Sequence, residues 1–430
     1  MPQIHPDRAP SLVYANAQGE IRDFSELNMA GRLADCFVQP ELEDLIPLPE
    51  GSELFVLPAR YPVGIDPNDG EPARLEENPT KQGGTIQAVA AFIAPAHTAN
   101  HLSAFEKNNA APPPLPLFAY TAVGWLDGRF WVSAFRSDKS SRQDFSRFSQ
   151  EKIRKLTLQS LKKHRDNRLV QHLGKCSLTY GCPAAKNLFL GREEAPLPTS
   201  PACNAQCIGC ISLQPSGCCP STQERIQFVP SAHEIAEIAL AHFKQAKNPV
   251  VSFGQGCEGE PLLQAKTIAQ AINKIRRKTS AGTINCNTNA SLPEAVAQLA
   301  EAGLDSIRVS LNSAQKEKHS LYYRPKGFSL DSVKESMQVM KKRGKFVSLN
   351  YFIFPGFTDD SDEFQAFCTL IGDYKPDFIQ LRNMNMDPDW YIEAIELTTG
   401  RKSMGIQTWL SKIKKNFPNL QFGYFNPALF

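Results

Sequence analysis

From about residue 225 the chain alternates between two hydrophobic periods, and this alternation limits the fold more than any other feature. Short apolar runs recur at Pro249-Val250-Val251-Ser252-Phe253, Thr283-Ile284-Asn285-Cys286-Asn287, Ser306-Ile307-Arg308-Val309-Ser310-Leu311, 346–354 and 377–382. Helix-period stretches separate them. Ser231-Ala232-His233-Glu234 is a capping box, followed by Ile235, Ile238, Ala239 and Phe243 at helical spacing. Further helices are expected over about 262–278, 293–302 and 330–343. Strands alternating with helices give an α/β fold with a parallel sheet and right-handed crossovers. With one more strand leading into Cys203, the pattern makes six β/α units.

The first 145 residues follow a different pattern. Leu117–Trp125 and Arg129–Phe135 are aromatic-rich runs joined through Asp127-Gly128, a strong hairpin signal, and Glu53–Pro58 also reads as a strand. Ala111-Pro112-Pro113-Pro114-Leu115-Pro116 is a stiff extended connector. The expected organisation is a small mostly-β N-terminal domain over 1–150 and a basic helix with a Cys-containing connector over 151–195. An α/β core over 196–395 and a C-terminal α/β extension over 396–430 complete it. The basic face of the 151–168 helix is read as a solvated face, with phosphate binding as its alternative.

Pro201-Ala202-Cys203-Asn204-Ala205-Gln206-Cys207-Ile208-Gly209-Cys210 sets three cysteines at C-x3-C-x2-C spacing. Three thiolates on one short loop can each reach a different iron of one [4Fe–4S] cube, which leaves the fourth iron for a small molecule. A plain electron carrier closes its cluster with four cysteines. Zinc, with a fourth ligand elsewhere, would use the same triplet. The chain has 11 cysteines, three of them on this loop, which points to a reducing compartment and metal rather than disulfides. No run of about 18 apolar residues is present and Met1-Pro2-Gln3-Ile4-His5-Pro6 has no apolar core, so neither a membrane span nor a signal peptide is expected. The expected location is the cytoplasm. A net charge of +3 is too small to argue for a nucleic-acid-binding module.

Taken in order, the motifs resemble the radical S-adenosylmethionine (SAM) superfamily over about residues 195–395. The resemblance implies a partial (β/α)6 barrel, a [4Fe–4S] cluster on Cys203, Cys207 and Cys210, and SAM chelating the open iron. One electron from the cluster would then cleave the sulfonium to methionine and a 5′-deoxyadenosyl radical, which abstracts hydrogen from a substrate. Gly254-Gln255-Gly256-Cys257-Glu258-Gly259-Glu260-Pro261 resembles the family's glycine-glutamate-proline motif. Gly259 and Glu260 would meet the methionyl amino group, with Glu258 as the alternate carboxylate. Thr288-Asn289-Ala290 is similar to the T-N-G segment, with Ala in place of Gly. Val309-Ser310-Leu311-Asn312 is similar to V-S-L-D, so Ser310 and Asn312 would contact the nucleoside. Pro355-Gly356-Phe357-Thr358-Asp359 resembles the P-G-x-T-D turn. Gly209, which the resemblance places beside the adenine, stands where the family usually has a bulky or aromatic residue; Ile208 lies one place earlier.

Further candidates lie around this core. Cys176, Cys182, Cys218 and Cys219 flank the triplet and are candidates for a second iron–sulfur cluster or a zinc ion, with ordinary core cysteines as the alternative. Arg324, Arg382 and Asn383 follow expected strands and are candidates for orienting a substrate carboxylate or phosphate, rim ion pairs being the alternative. The resemblance also implies a low-potential electron donor such as ferredoxin or flavodoxin. Glu260-Pro261-Leu262-Leu263 is similar to the RNA-methylating branch, but no cysteine follows Cys368, so RNA is only weakly supported as a partner. An iron–sulfur carrier without SAM chemistry and a zinc-bearing nucleic-acid-binding module are the competing functions.

Overall fold

The computed structural model describes residues 8–108, 112–142, 144–214, 217, 219–398, 400 and 403–430. Met1–His5, Ala111 and Cys218 lie outside the described residues. Two compact units emerge, neither linear in sequence. One comprises 1–139, 352–366 and 381–418; the other comprises 140–351, 367–380 and 419–430. The boundaries expected at 150, 195 and 395 cut the chain linearly; the compact units do not.

The first unit is built on an antiparallel sheet. Val123–Leu126 pairs with Arg129–Arg136, from Val123↔Val132 to Leu126↔Arg129. Asp127 and Gly128 take positive φ of 51° and 75°, the pair a two-residue hairpin turn of right-handed twist needs. The strand expected from Leu117 begins only at Val123. Before it, the Phe118 N–H folds back to the Pro116 carbonyl, while Leu117 and Tyr120 bury their side chains without a ladder. Later segments complete the unit. Arg60 and Asp387, both buried, form an ion pair at 2.9 Å, and Asp387 also accepts from the Leu115 N–H.

The second unit carries the parallel sheet. Its strands are β1 (Glu194–Pro196), β2 (Val250–Phe253), β3 (Thr283–Thr288), β4 (Ser306–Leu311), β5 (Phe346–Ile353), β6 (Phe378–Asn383) and β7 (Gln421–Gly423), in that spatial order. The ends of β5 and β6 run into the first unit. Pairs from β1 through β5 are parallel, as is β6 with β7, and the sheet curls as a partial barrel. The α/β class and the N-terminal strand-rich region therefore stand as expected.

Between 150 and 190 the chain forms α1 (Gln150–Lys163), α2 (Arg168–Leu178) and α3 (Pro183–Leu190). The last two replace the irregular connector expected around Cys176 and Cys182. Their signals are local. Asn167 caps α2 by accepting from the Val170 N–H. Pro183 opens α3 and Gly191 closes it in the left-handed conformation. Further on, α4 (Ala232–Gln245) begins with the expected Ser231/Glu234 capping box. The remaining helices are α5 (Ala265–Arg276), α6 (Pro293–Ala302), α7 (Lys316–Tyr323), α8 (Leu330–Lys342), α9 (Ser361–Tyr374), α10 (Pro388–Ala394) and α11 (Ile406–Asn416). No helix among the described residues is long and apolar enough to cross a membrane.

Candidate cluster and cofactor site

The motif loops leave the C-terminal ends of successive parallel strands, where such sheets place their ligands. The loop after β1 carries Cys203, Cys207 and Cys210, all half-buried. It is clamped from two sides. The Gln206 and Ile208 N–H groups donate to the Tyr323 and Tyr322 carbonyls at the end of α7, at 2.9 and 3.1 Å. On the other side the Glu260 N–H donates to the Ala202 carbonyl at 2.8 Å, and the Gly259 N–H to that of Ser200. A Cβ on Gly259 would run into the Ala202 carbonyl oxygen, so only glycine allows this approach. Gly209 and Ile208 are both buried in the loop.

The two carboxylates of the β2 loop do different things. Glu258 is 4% exposed; one oxygen accepts from the Thr199 and Ser200 N–H groups and the other from those of Gly254 and Gln255, at 2.7–2.9 Å. It binds the start of the cysteine loop to the β2 loop. Glu260, equally buried, accepts from the Leu262 N–H and the Thr288 hydroxyl on one oxygen and, among the described residues, from the Asn289 N–H alone on the other. Burial raises both carboxyls, each to about 7.

Thr288 and Asn289 thus hold Glu260 in place. The Asn289 amide also donates to Asn204 in the cysteine loop at 2.9 Å, and Asn204 donates to Ser291. Ala290 sits at φ 54°, the left-handed conformation that explains why glycine suits this position; the Ser336 hydroxyl bonds its carbonyl at 2.7 Å. Ser310 on β4 is half-buried, and Asn312, in the loop just after β4, is buried, its amide donating to the Lys318 carbonyl.

Arg225 was not anticipated from the sequence. Its guanidinium donates to the Cys210 sulfur at 3.5 Å and to the Ser212 hydroxyl at 3.1 Å. An arginine fifteen residues beyond the third cysteine carries no spacing signal; only folding of the loop reveals it.

Other candidates fare differently. Arg324 is exposed and ends α7 with φ 45°, one residue beyond the carbonyl that clamps the cysteine loop. Arg382 is exposed on β6. Asn383, read as a substrate contact, spends its side chain inside its own unit, accepting from the Ala99 N–H at 2.9 Å and donating to the His97 carbonyl at 3.0 Å. The Pro355–Asp359 turn also belongs to the first unit, where Asp359 accepts from the Gly356 and Gly405 N–H groups. Among the described residues, the metal-ligand atoms lying within 4.8 Å of one another are those of His172, Cys176 and Cys257. The sequence had grouped Cys176 with Cys182, Cys218 and Cys219; neither Cys182 nor Cys219 belongs to this group.

A family profile described as the Radical SAM superfamily matches residues 197–368. The matched stretch is 172 of the chain's 430 residues, and over it the chain resembles the radical SAM superfamily. The matched domain is that of a radical SAM enzyme. Several solved radical SAM structures are distantly similar. A radical SAM methyltransferase from Sphaerobacter thermophilus is 14% identical, over 55% of this chain and 67% of its own, with a TM-score of 0.37. Methylornithine synthase is 14% identical over 64% and 71%, with a TM-score of 0.37. Streptococcus suis SuiB bound to S-adenosylmethionine is 14% identical over 65% and 67%, with a TM-score of 0.40. No curated protein matches the chain.

The residues present suit the group the superfamily implies. Burial raises the Cys203 thiol, and raises Cys207 well above its ordinary value, with the neighbouring Cys210 and Cys203 thiolates adding to the effect. Thiols held close and partly desolvated are costly to ionise alone and are held as thiolates by a metal.

Proposed function

We propose that Cys203, Cys207 and Cys210 hold a [4Fe–4S] cluster and that SAM binds beside it on the C-terminal ends of β2–β4. When bound, the cluster supplies the electron that cleaves SAM reductively to methionine and a 5′-deoxyadenosyl radical, which takes hydrogen from a substrate. The observation that carries this reading is the β2 loop, which Gly259 lets lie against Ala202 while Glu260 stands one residue away, braced from β3.

The chain's own residues contribute positioning. Glu260 presents the oxygen that accepts only from Asn289 to the methionyl ammonium, making a charge-assisted hydrogen bond. Glu258, Ser200 and the α7 carbonyls keep the cysteine loop at a fixed distance from it. Ser310 and Asn312 offer polar groups to the nucleoside. Arg225 places positive charge against Cys210, favouring added negative charge at the centre. Arg324, exposed beside the clamp, suits a carboxylate or phosphate on the substrate. A reduced ferredoxin or flavodoxin is the class of electron donor that fits this chemistry.

The test is chemical. Anaerobically reconstituted protein given SAM and dithionite should form 5′-deoxyadenosine and methionine, both measured by liquid chromatography with mass detection. A fully loaded cluster that yields neither product with dithionite or with a reduced flavodoxin contradicts the proposal and favours the simple electron carrier.

A further inference from the structure

We propose that this protein carries a structural zinc ion, bound by His172, Cys176, Cys257 and Cys182, separate from the SAM-binding cluster. The α2 helix places His172 and Cys176 four residues apart on one face. The His172 Nε2 and Cys176 Sγ atoms are 3.6 Å apart. Zinc bonds of about 2.3 Å to sulfur and about 2.05 Å to nitrogen, at the tetrahedral angle, put those atoms about 3.6 Å apart. Cys257 arrives from the β2 loop, and its sulfur lies within 4.8 Å of both. The Cys176 and Cys257 residues are 1% and 4% exposed.

Cys182, whose sulfur lies outside the group within 4.8 Å but packs beside it, is the fourth ligand the proposal assigns, drawn in when the metal binds. It caps α3, packs against the Cys176–Cys257 pair, and donates its N–H to the Cys176 carbonyl at 3.0 Å. Three thiolates and one imidazole make a closed tetrahedral set, the form of structural zinc sites. Donor atoms this close surround one ion; a four-iron cube needs its sulfurs spread around a larger body. The His172 ring is held edge-on by Phe228, 6.4 Å between centroids, and the Arg168 guanidinium covers that phenylalanine at 4.7 Å. Cys257 has its carbonyl fixed by the Ile226 N–H at 2.8 Å.

The placement gives the ion a task. Cys257 immediately precedes Glu258 and stands three residues before Glu260. Zinc would tie α2 and α3 to the loop that carries both carboxylates, holding it in place before SAM arrives.

The test uses full-length protein with Cys203, Cys207 and Cys210 changed to Ala, so that the first cluster cannot contribute metal. Purified without added metal, it should contain about one zinc per chain and no iron by mass spectrometry. Adding Cys176→Ser, Cys257→Ser or Cys182→Ala should weaken zinc affinity at least about tenfold, read by titrating zinc ion alone against a chromophoric chelator. His172→Cys should keep the metal, which shows that loss in the other variants is not mere misfolding. Cobalt loaded in place of zinc should give thiolate charge-transfer absorption. A zinc-free protein, zinc unaffected by Cys176→Ser and Cys257→Ser, a brown iron-bearing triple variant, or a Cys176–Cys257 disulfide detected by mass would each overturn the proposal. Unchanged affinity in Cys182→Ala would overturn the four-ligand assignment. None of these readouts depends on SAM cleavage.

Discussion

At the scale of single residues, the two glutamates of the β2 loop separate folding from binding. Each oxygen of Glu258 faces two backbone N–H donors, so Glu258→Gln turns an NH2 group onto two N–H groups whichever way the amide lies. Leaving buried donors unsatisfied costs about 1–3 kcal/mol each, so with two donors the variant should lose on the order of 2–6 kcal/mol of stability. Glu260→Gln can set its NH2 against the Asn289 N–H alone, so its fold should suffer less. Its SAM affinity should fall by about 1.5–3 kcal/mol, the range for hydrogen bonds to charged groups. Thermal melts and SAM titrations of both variants check this; a large SAM loss with normal stability in Glu258→Gln would reverse the roles. The sequence put Glu260 first, with Glu258 as its alternate, on motif position alone; which backbone groups converge on each carboxylate shows only in the fold. For the same reason the Ala99 and His97 partners of Asn383 were hidden: a side-chain amide shows nothing of its partners until the chain has folded.

At the scale of elements, the helix starts tie neighbouring segments together. Glu234 closes the capping box at α4 and also accepts from the Arg168 N–H and guanidinium at the start of α2. The Arg168 guanidinium, first, and the Ser231 groups hold its carboxyl at about 2, below its ordinary 4.5. A lowered carboxyl stabilises the fold above the unfolded value, and that contribution disappears as pH falls from about 4.5 to about 2. Glu234→Gln should cost about 1 kcal/mol at neutral pH, the usual worth of a cap, because the Arg168 side chain is largely exposed and its attraction is screened. The difference from wild type should vanish near pH 2, and denaturant melts across that range read it directly. A difference that stays constant with pH would mean the carboxylate's charge plays no part. The capping box was plain in sequence because all its parts are local. Helices α2 and α3 were not: Leu169, Leu173 and Cys176 follow helical spacing, but the cysteines, Gly181 and Pro183 read equally well as a metal-binding loop. The strands over 250–253, 283–288, 306–311, 346–353 and 378–383 were legible because short runs carrying Val, Ile, Leu and Phe recur between helix-period stretches.

At the scale of the molecule, a polar network runs across one face of the parallel sheet. Ser252 donates to Glu194, Asn285 donates to Ser252 and Asn287, and Ser306 donates to Asn285. Residues at the end of the chain join it. The Gln380 amide donates to the Tyr424 carbonyl, Asn426 donates to Glu194, the Leu429 N–H donates to Thr283, and Arg142 donates to the Asn426 carbonyl. Removing residues 424–430 should cost on the order of 4 kcal/mol, at about 1 kcal/mol for each hydrogen bond lost, and unfolding midpoints would show it. An unchanged midpoint would mean the segment merely rests on the sheet. Nothing in the sequence placed this segment there, since contacts so far apart in the chain leave no periodic trace.

The central claim is that the cysteine loop holds a cluster with an iron open to SAM, and electron paramagnetic resonance tests it most directly. The anaerobically reconstituted, dithionite-reduced protein should show a [4Fe–4S]+ signal whose g values shift when SAM is added, and the Cys203/Cys207/Cys210→Ala variant should lack that SAM-responsive signal. A cluster signal indifferent to SAM, or a triple variant that still cleaves SAM, would contradict the account.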